Sequence, residues 1–324
     1  MRVAFLQLLF TLITCASNHT LLDRYREGGV KSLLKEAEKS LQSKEYWLSR
    51  LNRYDTDFGY YEDIEYLLLT NKSFPTLDVY KFYKDRELFE LIEILNAYVG
   101  EKSGHKSLEG DKKTPTGVYT LTERLSKLDQ FYGPLAFVTS YPNLYDRLKN
   151  RTGSGIWIHG LPIKGDRDSF TRGCIAIEND KIVSLDKEIN LKKTLLIISD
   201  KKLQKTSKSD LALILSSLYK WLDAWRDSDI DRYLSFYDSK RFYRYDRKRF
   251  KWFKNYKSRI FSRKRETTIR FSNINISPYP NSQNRKLFYI TFQEFYRAGD
   301  YRFNGQKSLY VELQKGYMKI LIEK

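Results

Sequence analysis

Two side chains in the sequence could form a nucleophilic pair. His159 ends a short apolar run and precedes Gly160, and Cys174 follows Gly173 fifteen positions further along. A thiolate is a strong nucleophile, and an adjacent imidazole lowers the pKa of a thiol or takes its proton. The pair therefore predicts acyl-transfer chemistry at Cys174 with His159 as the base. The alternative is that Cys174 is an inert cysteine packed as a small apolar residue.

The residues around the pair could serve the same reaction. Gly173 lets the backbone turn so that the N–H groups of Gly173 and Cys174 point at one spot, where an oxyanion could be held. Arg172 adds positive charge that favours the thiolate and could receive a substrate carboxylate. Because no acidic side chain stands near His159 in the sequence, the carbonyl of Gly160 is expected to fix the tautomer of the imidazole.

The N-terminus and the cysteine count together favour export. Met1 to Ser17 contain Arg2, then an apolar stretch, then small residues, which predicts a secretory signal peptide and a periplasmic protein. The apolar stretch is shorter than the roughly 20 residues that span a bilayer. The chain has two cysteines. A lipid anchor on Cys15 is the less favoured alternative, and an unpaired Cys174 in an oxidising compartment favours a chemical role.

Charge and histidine content limit the partners and cofactors. The 324 residues include 58 Lys and Arg against 40 Asp and Glu, a net charge of +18. This excess predicts an anionic partner, either nucleic acid, a membrane surface or an acidic wall polymer, and export argues against nucleic acid. The histidines His19, His105 and His159 are scattered without the spacing of metal ligands, so we expect no metal and no cofactor.

A chain of this length is long enough for two or three domains. The strands and helices that must position His159 and Cys174 lie in its middle part. Apolar residues recur with a helical period in residues 21–52, which predicts an amphipathic helix. Its apolar face could pack on the next domain or form a dimer, and the period favours neither. Apolar runs separated by Gly and Pro then predict strands, at 66–69, 77–80, 88–99, 117–121, 135–139, 156–159, 174–177 and 194–198.

A polar stretch at residues 201–209 separates this mostly β region from the last part of the chain. Residues 211–237 have a helical period, and residues 267–276, 287–296, 308–313 and 317–322 alternate as strands do. A helix followed by a bent antiparallel sheet predicts an α+β domain. Residues 240–265 are rich in Lys, Arg and aromatic side chains; a solvated basic surface is favoured over contact with an anionic wall polymer.

Three motifs in order resemble the catalytic domain of the L,D-transpeptidase (YkuD) family: Gly110 to Tyr119, His159-Gly160, and Thr171 to Ile175. The resemblance covers about residues 61–201 and implies a β-sandwich-like fold. It implies that Cys174 is the nucleophile, that His159 is the general base and that the Gly160 carbonyl orients it. The backbone N–H groups of Gly173 and Cys174 would form the oxyanion hole. The residues expected to bind substrate are Arg172, Thr171, Ser169 and Trp157.

The layout of the whole chain resembles the cell-shape L,D-carboxypeptidases of helical Gram-negative bacteria. The predicted parts are a signal peptide (1–17), a helical region (18–60), the YkuD-type domain (61–201) and an NTF2-like α+β domain (202–324), so the fold class is mostly β and α+β. The resemblance implies removal of the terminal D-Ala from wall tetrapeptides, a homodimer through the N-terminal region, and a pocket for a glycan or small ligand in the C-terminal domain.

Two other functions stay open at this point. An L,D-transpeptidase would pass the same acyl group to a wall amine and form a cross-link, or attach a partner to the wall. The sequence departs from many family members at Ala176, where they have arginine, and this leaves open whether the cleft can hold a second wall peptide. The third reading is a wall-binding scaffold without catalysis, against which the intact His159 and Cys174 argue.

Overall fold

The computed structural model describes residues 2–165, 168–263 and 265–324, and of residues 2–21 it describes the backbone only. The helices are α1 (Arg2–Leu41), α2 (Lys44–Arg50), α3 (Leu144–Leu148), α4 (Asn179–Glu188), α5 (Lys208–Arg226), α6 (Ile230–Ser235) and α7 (Phe250–Phe261). Short 3-10 helices lie at Leu51–Arg53, Gln130–Tyr132 and Leu191–Lys193.

The strands are β1 (Tyr60–Tyr61), β2 (Tyr66–Asn71), β3 (Thr76–Tyr83), β4 (Leu88–Asn96), β5 (Gly117–Leu125), β6 (Ala136–Thr139), β7 (Trp157–His159), β8 (Ile175–Ala176), β9 (Thr194–Ser199), β10 (Tyr243–Arg244), β11 (Thr267–Pro278), β12 (Leu287–Ala298), β13 (Tyr301–Gln314) and β14 (Tyr317–Glu323). They form two sheets, and every strand predicted between residues 66 and 198 has a counterpart in the first.

The first sheet has the strand order β4-β3-β2-β9-β5-β6-β7-β8. Strand β5 belongs to both halves of it, because Gly117 to Thr120 pair with β9 whereas Leu121 to Leu125 pair with β6. The register of the β5–β6 pair shifts between Leu121 and Glu123, next to this change of partner. A strand that changes partners at a bulge bends the sheet over its own core. This bend accounts for the predicted β-sandwich-like architecture.

Strands β2 and β9 pair in parallel and send alternate side chains into two cores. Leu68 and Leu196 enter the core inside the folded sheet. Leu67 and Leu195 enter a second core shared with Leu321 of the C-terminal sheet. Strands buried on both faces are continuous apolar runs rather than alternating ones, which explains why these segments show no period of two.

The second sheet, in the order β1-β11-β12-β13-β14-β10, packs against α5, and the predicted α+β class is confirmed. The helical period of residues 211–237 is divided between α5 and α6, because Ser228 between them has a left-handed φ of 56°. Strand β1 pairs with β11, so Tyr60 and Tyr61 extend the C-terminal sheet although they lie at the predicted boundary between the helical region and the catalytic domain. The domain boundaries themselves stay predictions.

The N-terminal helical region takes part in the C-terminal core. The indole of Trp47 in α2 stacks on Tyr219 of α5 with 5.7 Å between ring centroids, and Leu51 is fully buried. This part of the arm therefore packs on the C-terminal domain and not, as one alternative had it, on the next domain of the chain. Further back, Val30 and Leu34 of α1 are exposed, and dimerisation through them stays a prediction.

The predicted signal peptide lies outside the fully described part of the chain, because Met1 and the side chains of residues 2–21 are not described. The same holds for the lipid-anchor alternative at Cys15. Among the helices in the described residues, none is long and apolar enough to cross a bilayer.

We expect Leu196→Ala to lower the free energy of unfolding by about 2–5 kcal/mol, because it leaves a cavity at a fully buried site. The matched control is Leu91→Ala on β4, whose side chain is 44% exposed and whose loss should change stability by no more than about 0.5 kcal/mol. Urea denaturation followed by circular dichroism measures both. Equal effects of the two substitutions would contradict the described core.

Candidate active site

His159 and Cys174 project from the same face of the sheet. Strands β7 and β8 are parallel neighbours, with Ile158 opposite Ile175 and His159 opposite Ala176. Ile158 and Ile175 point into the core, so the side chains flanking them point the other way. The register thus puts the imidazole and the thiol, which the sequence places fifteen positions apart, on one face of two neighbouring segments.

The imidazole of His159 is held in one orientation. It is 1% exposed, and its Nδ1 lies 2.6 Å from the carbonyl oxygen of Gly160. A carbonyl oxygen can only accept, so Nδ1 carries the proton and the neutral ring keeps its basic lone pair on Nε2. The ring of Tyr132 packs edge to face against the imidazole with 5.1 Å between centroids. Tyr132 also contacts Trp157, and no sequence pattern distinguished it.

The backbone that carries the Gly160 carbonyl is fixed by close packing. The side chain of Asn179, at the start of α4, accepts a hydrogen bond of 2.8 Å from the N–H of Leu161. A Cβ added to Gly160 would collide with that same amide oxygen, and Gly133 approaches Gly160 with a left-handed φ of 72°. Only glycine fits at these two positions.

The turn before Cys174 is held by the hydroxyl of Thr171. This hydroxyl donates to the carbonyl of Cys174 at 2.7 Å and accepts from the N–H of Gly173 at 3.0 Å. The N–H of Thr171 donates to the carbonyl of Val99 at 2.8 Å, which ties the turn to the chain that continues from β4. The thiol of Cys174, itself half-buried, lies 3.4 Å from the carbonyl oxygen of Gly155.

Some of the residues predicted to bind substrate or the oxyanion are accessible, and others already use their polar groups in hydrogen bonds within the turn. Arg172 and Ser169 are exposed and Trp157 is half-buried. Thr171 is 4% exposed with its hydroxyl used inside the turn, so its geometry is that of a positioning residue. The N–H of Gly173 is bonded to Thr171, and it would have to exchange that partner to hold an oxyanion.

The Gly110 to Tyr119 motif builds a loop that supports this turn. The carboxylate of Asp111 accepts from Lys106 and from backbone N–H groups of residues 107, 108 and 113. Burial alone would raise the pKa of Asp111, but these hydrogen bonds outweigh it and hold the pKa well below its usual range. A Cβ at Gly173 would stand 2.8 Å from the Lys113 carbonyl oxygen, so the loop and the turn are in direct contact.

A second candidate site is a cavity of about 610 Å³ in the C-terminal domain. Lys257 and Lys307 line it beside Glu294 and Glu323, and Lys307 lies 2.9 Å from Glu323. Burial lowers the pKa of Lys257 to about 8. Burial would raise the pKa of Glu323, but Lys307 and Lys257 outweigh it and hold the pKa at about 2.

The predicted solvated basic surface at residues 240–265 is partly wrong, because part of it forms this cavity. Helix α7 turns Phe253, Lys257 and Phe261 inward, where they are buried. The ammonium of Lys257 lies over the ring of Trp225, 4.4 Å from its centroid.

In the part of the chain that is described, no group of His, Cys, Asp and Glu could hold a metal ion.

Comparison with known proteins agrees with these two regions. Residues 67–198 match the L,D-transpeptidase catalytic domain (YkuD), and residues 213–324 match the Cds6 C-terminal NTF2-like domain. The crystal structure of the helical cell shape determining protein Pgp2 from Campylobacter jejuni is similar with a TM-score of 0.81 and 41% identity, over 88% of this chain and 100% of that one. The chain belongs to the L,D-transpeptidase (YkuD) family.

Other comparisons are consistent with this membership. A mutant form of Pgp2 has a TM-score of 0.82 at 41% identity, over 88% of this chain and 99% of that one. Bd1075 of Bdellovibrio bacteriovorus is similar with a TM-score of 0.67 and 28% identity, over 84% of this chain and 96% of that one. No curated protein sequence matches the chain. The YkuD domain thus contains the His159 and Cys174 pair, and the NTF2-like domain contains the cavity of about 610 Å³.

In the YkuD domain, we expect Thr171→Val to change the rate at which iodoacetamide alkylates Cys174 by at least tenfold. The substitution leaves a buried N–H and a carbonyl without their partner, which costs about 1–3 kcal/mol and releases the turn. Thr171→Ser keeps the hydroxyl and should react within twofold of the unchanged protein. Indistinguishable rates for all three proteins would show that the hydroxyl does not position Cys174.

In the NTF2-like domain, we expect Glu323→Gln to lower the free energy of unfolding at pH 7 by an amount on the order of 3 kcal/mol. The pKa of Glu323 is lowered from 4.5 to about 2. The stabilisation of the folded state by its carboxylate is therefore present above pH 4.5 and is lost as the pH falls through 2. The difference from the unchanged protein should therefore shrink over that range in denaturant titrations. The exposed Glu266→Gln is the control, and a pH-independent difference would contradict the assignment.

Proposed function

We propose that this protein is a peptidoglycan L,D-carboxypeptidase that removes the terminal D-Ala from wall tetrapeptides and leaves tripeptides. The observation that carries the proposal is the 2.6 Å contact between His159 Nδ1 and the Gly160 carbonyl, on the sheet face that also carries Cys174. It directs the basic Nε2 of a neutral imidazole away from Gly160. Membership of the YkuD family supports the substrate class, the peptide stems of peptidoglycan.

In the first half of the proposed reaction, the Cys174 thiol gives its proton to Nε2 of His159. The thiolate then attacks the carbonyl that joins the L-centre of meso-diaminopimelate to D-Ala. Backbone N–H groups near Gly173 and Cys174 would hold the oxyanion. As the C–N bond breaks, the imidazolium returns the proton to the departing amine of D-Ala, and a thioester on Cys174 remains.

In the second half, a water molecule gives a proton to Nε2 of His159 and its oxygen attacks the thioester. The C–S bond breaks, the sulfur of Cys174 takes up the proton from His159, and the tripeptide leaves as a carboxylic acid that loses its remaining proton to water. If the amine of a second wall peptide replaced water, the same acyl-enzyme would give a cross-link, which is the L,D-transpeptidase alternative. Many family members have an arginine at the position of Ala176. Ala176 is fully buried, and its methyl group offers no charge that could bind a second wall peptide.

We further propose that the protein acts in the periplasm after export and contributes to cell shape, a role for which the similar Pgp2, a helical cell shape determining protein, is named. Exposed apolar side chains of α1, among them Leu22, Val30 and Leu34, support a homodimer through the N-terminal region. The cavity of the NTF2-like domain, with aromatic rings beside charged groups, supports binding of a glycan or small ligand there.

The reaction is tested by incubating the purified protein with disaccharide-tetrapeptide and separating the products. We expect disaccharide-tripeptide and free D-Ala in equal amounts, with no dimers. Cys174→Ala removes the nucleophile and should lower the rate by at least a thousandfold, because the pair acts as one unit. The matched control is Ser169→Ala, an exposed residue five positions away, which should keep the reaction and change mainly KM.

Each alternative function has its own outcome in the same experiment. Peptide dimers without tripeptide would establish the transpeptidase and contradict the carboxypeptidase. No product at all from a folded protein that still binds the wall, together with an unchanged cellular phenotype of Cys174→Ala, would favour the non-catalytic scaffold.

A further inference from the structure

A cavity of about 370 Å³ lies at the junction of the YkuD and NTF2-like domains, separate from the active site and from the larger cavity. One wall is formed by the YkuD domain, including His105, Lys149 and Arg151, and the other by the turn between β11 and β12, which carries Arg285. The only carboxylate among its described lining residues is that of Asp200, and this group already lies 2.7 Å from the ammonium of Lys72.

Two hydrogen-bond donors on this lining are buried without an acceptor in the described structure. Nδ1 of His105 accepts from the N–H of Thr116 at 3.0 Å, so the proton of the neutral ring is on Nε2, which has no partner. Burial together with Arg151 and Lys72 lowers the pKa of His105 to about 3, which keeps the ring neutral. Nε of Arg285 is likewise buried without a partner. A buried donor without an acceptor is rare in folded proteins, and an acceptor oxygen from a bound molecule would account for both.

The cavity is also lined by cations that the nearby carboxylates balance only in part. Arg151 is paired with Asp146 at 2.6 Å, and Arg285 lies 3.5 Å from Glu312. Lys149 contacts the ring of Tyr145, and within the described residues no carboxylate pairs with it. Burial, and then the nearby charges of Arg285 and Arg151, lower the pKa of Lys149. A cation left in a repulsive field is stabilised by an anion that enters the same space.

We propose that this junction cavity is a binding site for a small oxyanion, a carboxylate or a phosphate group, which accepts from His105 and Arg285 and pairs with Lys149. The volume lies in the range of small-molecule sites. A bound anion would tie the YkuD domain to the β11–β12 turn. The cavity contains none of the residues of the proposed hydrolysis, so the two proposals stand or fall separately.

Isothermal titration calorimetry of the full chain tests the site with two probes, inorganic phosphate and tricarballylate, at pH 7 and constant ionic strength. We expect saturable one-to-one binding of at least one probe. Binding of phosphate alone identifies a phosphate group as the ligand chemistry, and binding of tricarballylate alone identifies a carboxylate. Saturable binding of neither would overturn the proposal.

Two variants separate this cavity from the general positive charge of the protein. Lys149→Gln should weaken binding at least tenfold and, because it relieves repulsion, should raise the melting temperature of the ligand-free protein. Ser282→Asp places a carboxylate on the exposed rim of the cavity and should weaken binding without touching the core. Lys187→Gln, an exposed lysine of α4, is the matched control. Equal affinities in all four proteins would show that the anion binds elsewhere.

Discussion

The parallel pairing of β2 with β9, buried on both faces, is the constraint on which the rest of this structure depends. Every residue of β9 is buried, and its side chains alternate between the catalytic core and the core shared with the NTF2-like domain. Removing apolar area from water stabilises the folded state by about 25 cal/mol per Å². Because β2 and β9 bury side chains on both faces, this one strand pair stabilises two cores. The position of the catalytic sheet relative to the C-terminal sheet follows from it.

The active site lies at the far end of the sheet from this support. Strands β5, β6 and β7 lead from β9 to β8, which is only two residues long. A ladder this short cannot hold a nucleophile by itself, so the turn relies on other bonds. Tyr98 exchanges backbone hydrogen bonds of 2.8 and 2.9 Å with Ala176, and the Thr171 hydroxyl bonds the turn internally. Precision at Cys174 therefore depends on one side-chain hydroxyl and on contact with the Gly110 to Tyr119 loop.

Much of this arrangement could be predicted from the sequence because it depends on local patterns. Apolar runs bounded by Gly and Pro identified the strands from residue 66 to 198, and the Gly160 carbonyl was expected beside the imidazole because no acid stood nearby. The break at Ser228 was missed, since the apolar period continues on both sides of it and left-handed φ at serine has no local signal. The pairing of Tyr60 with Ile276 was missed because partners 216 positions apart leave no periodic trace.

Side chains that act across a fold are the ones that sequence patterns cannot reveal. Tyr132 contacts the imidazole where Gly133 packs against Gly160. Lys257 belonged to a predicted basic surface, but α7 directs its side chain inward. His105 shows the same limit most clearly. In the sequence it was one of three scattered histidines and argued only against a metal site. In the structure, its bond to Thr116 assigns the proton to Nε2, and burial together with the neighbouring cations lowers its pKa and keeps the ring neutral. A residue without a motif thus becomes a defined donor at the junction of two domains.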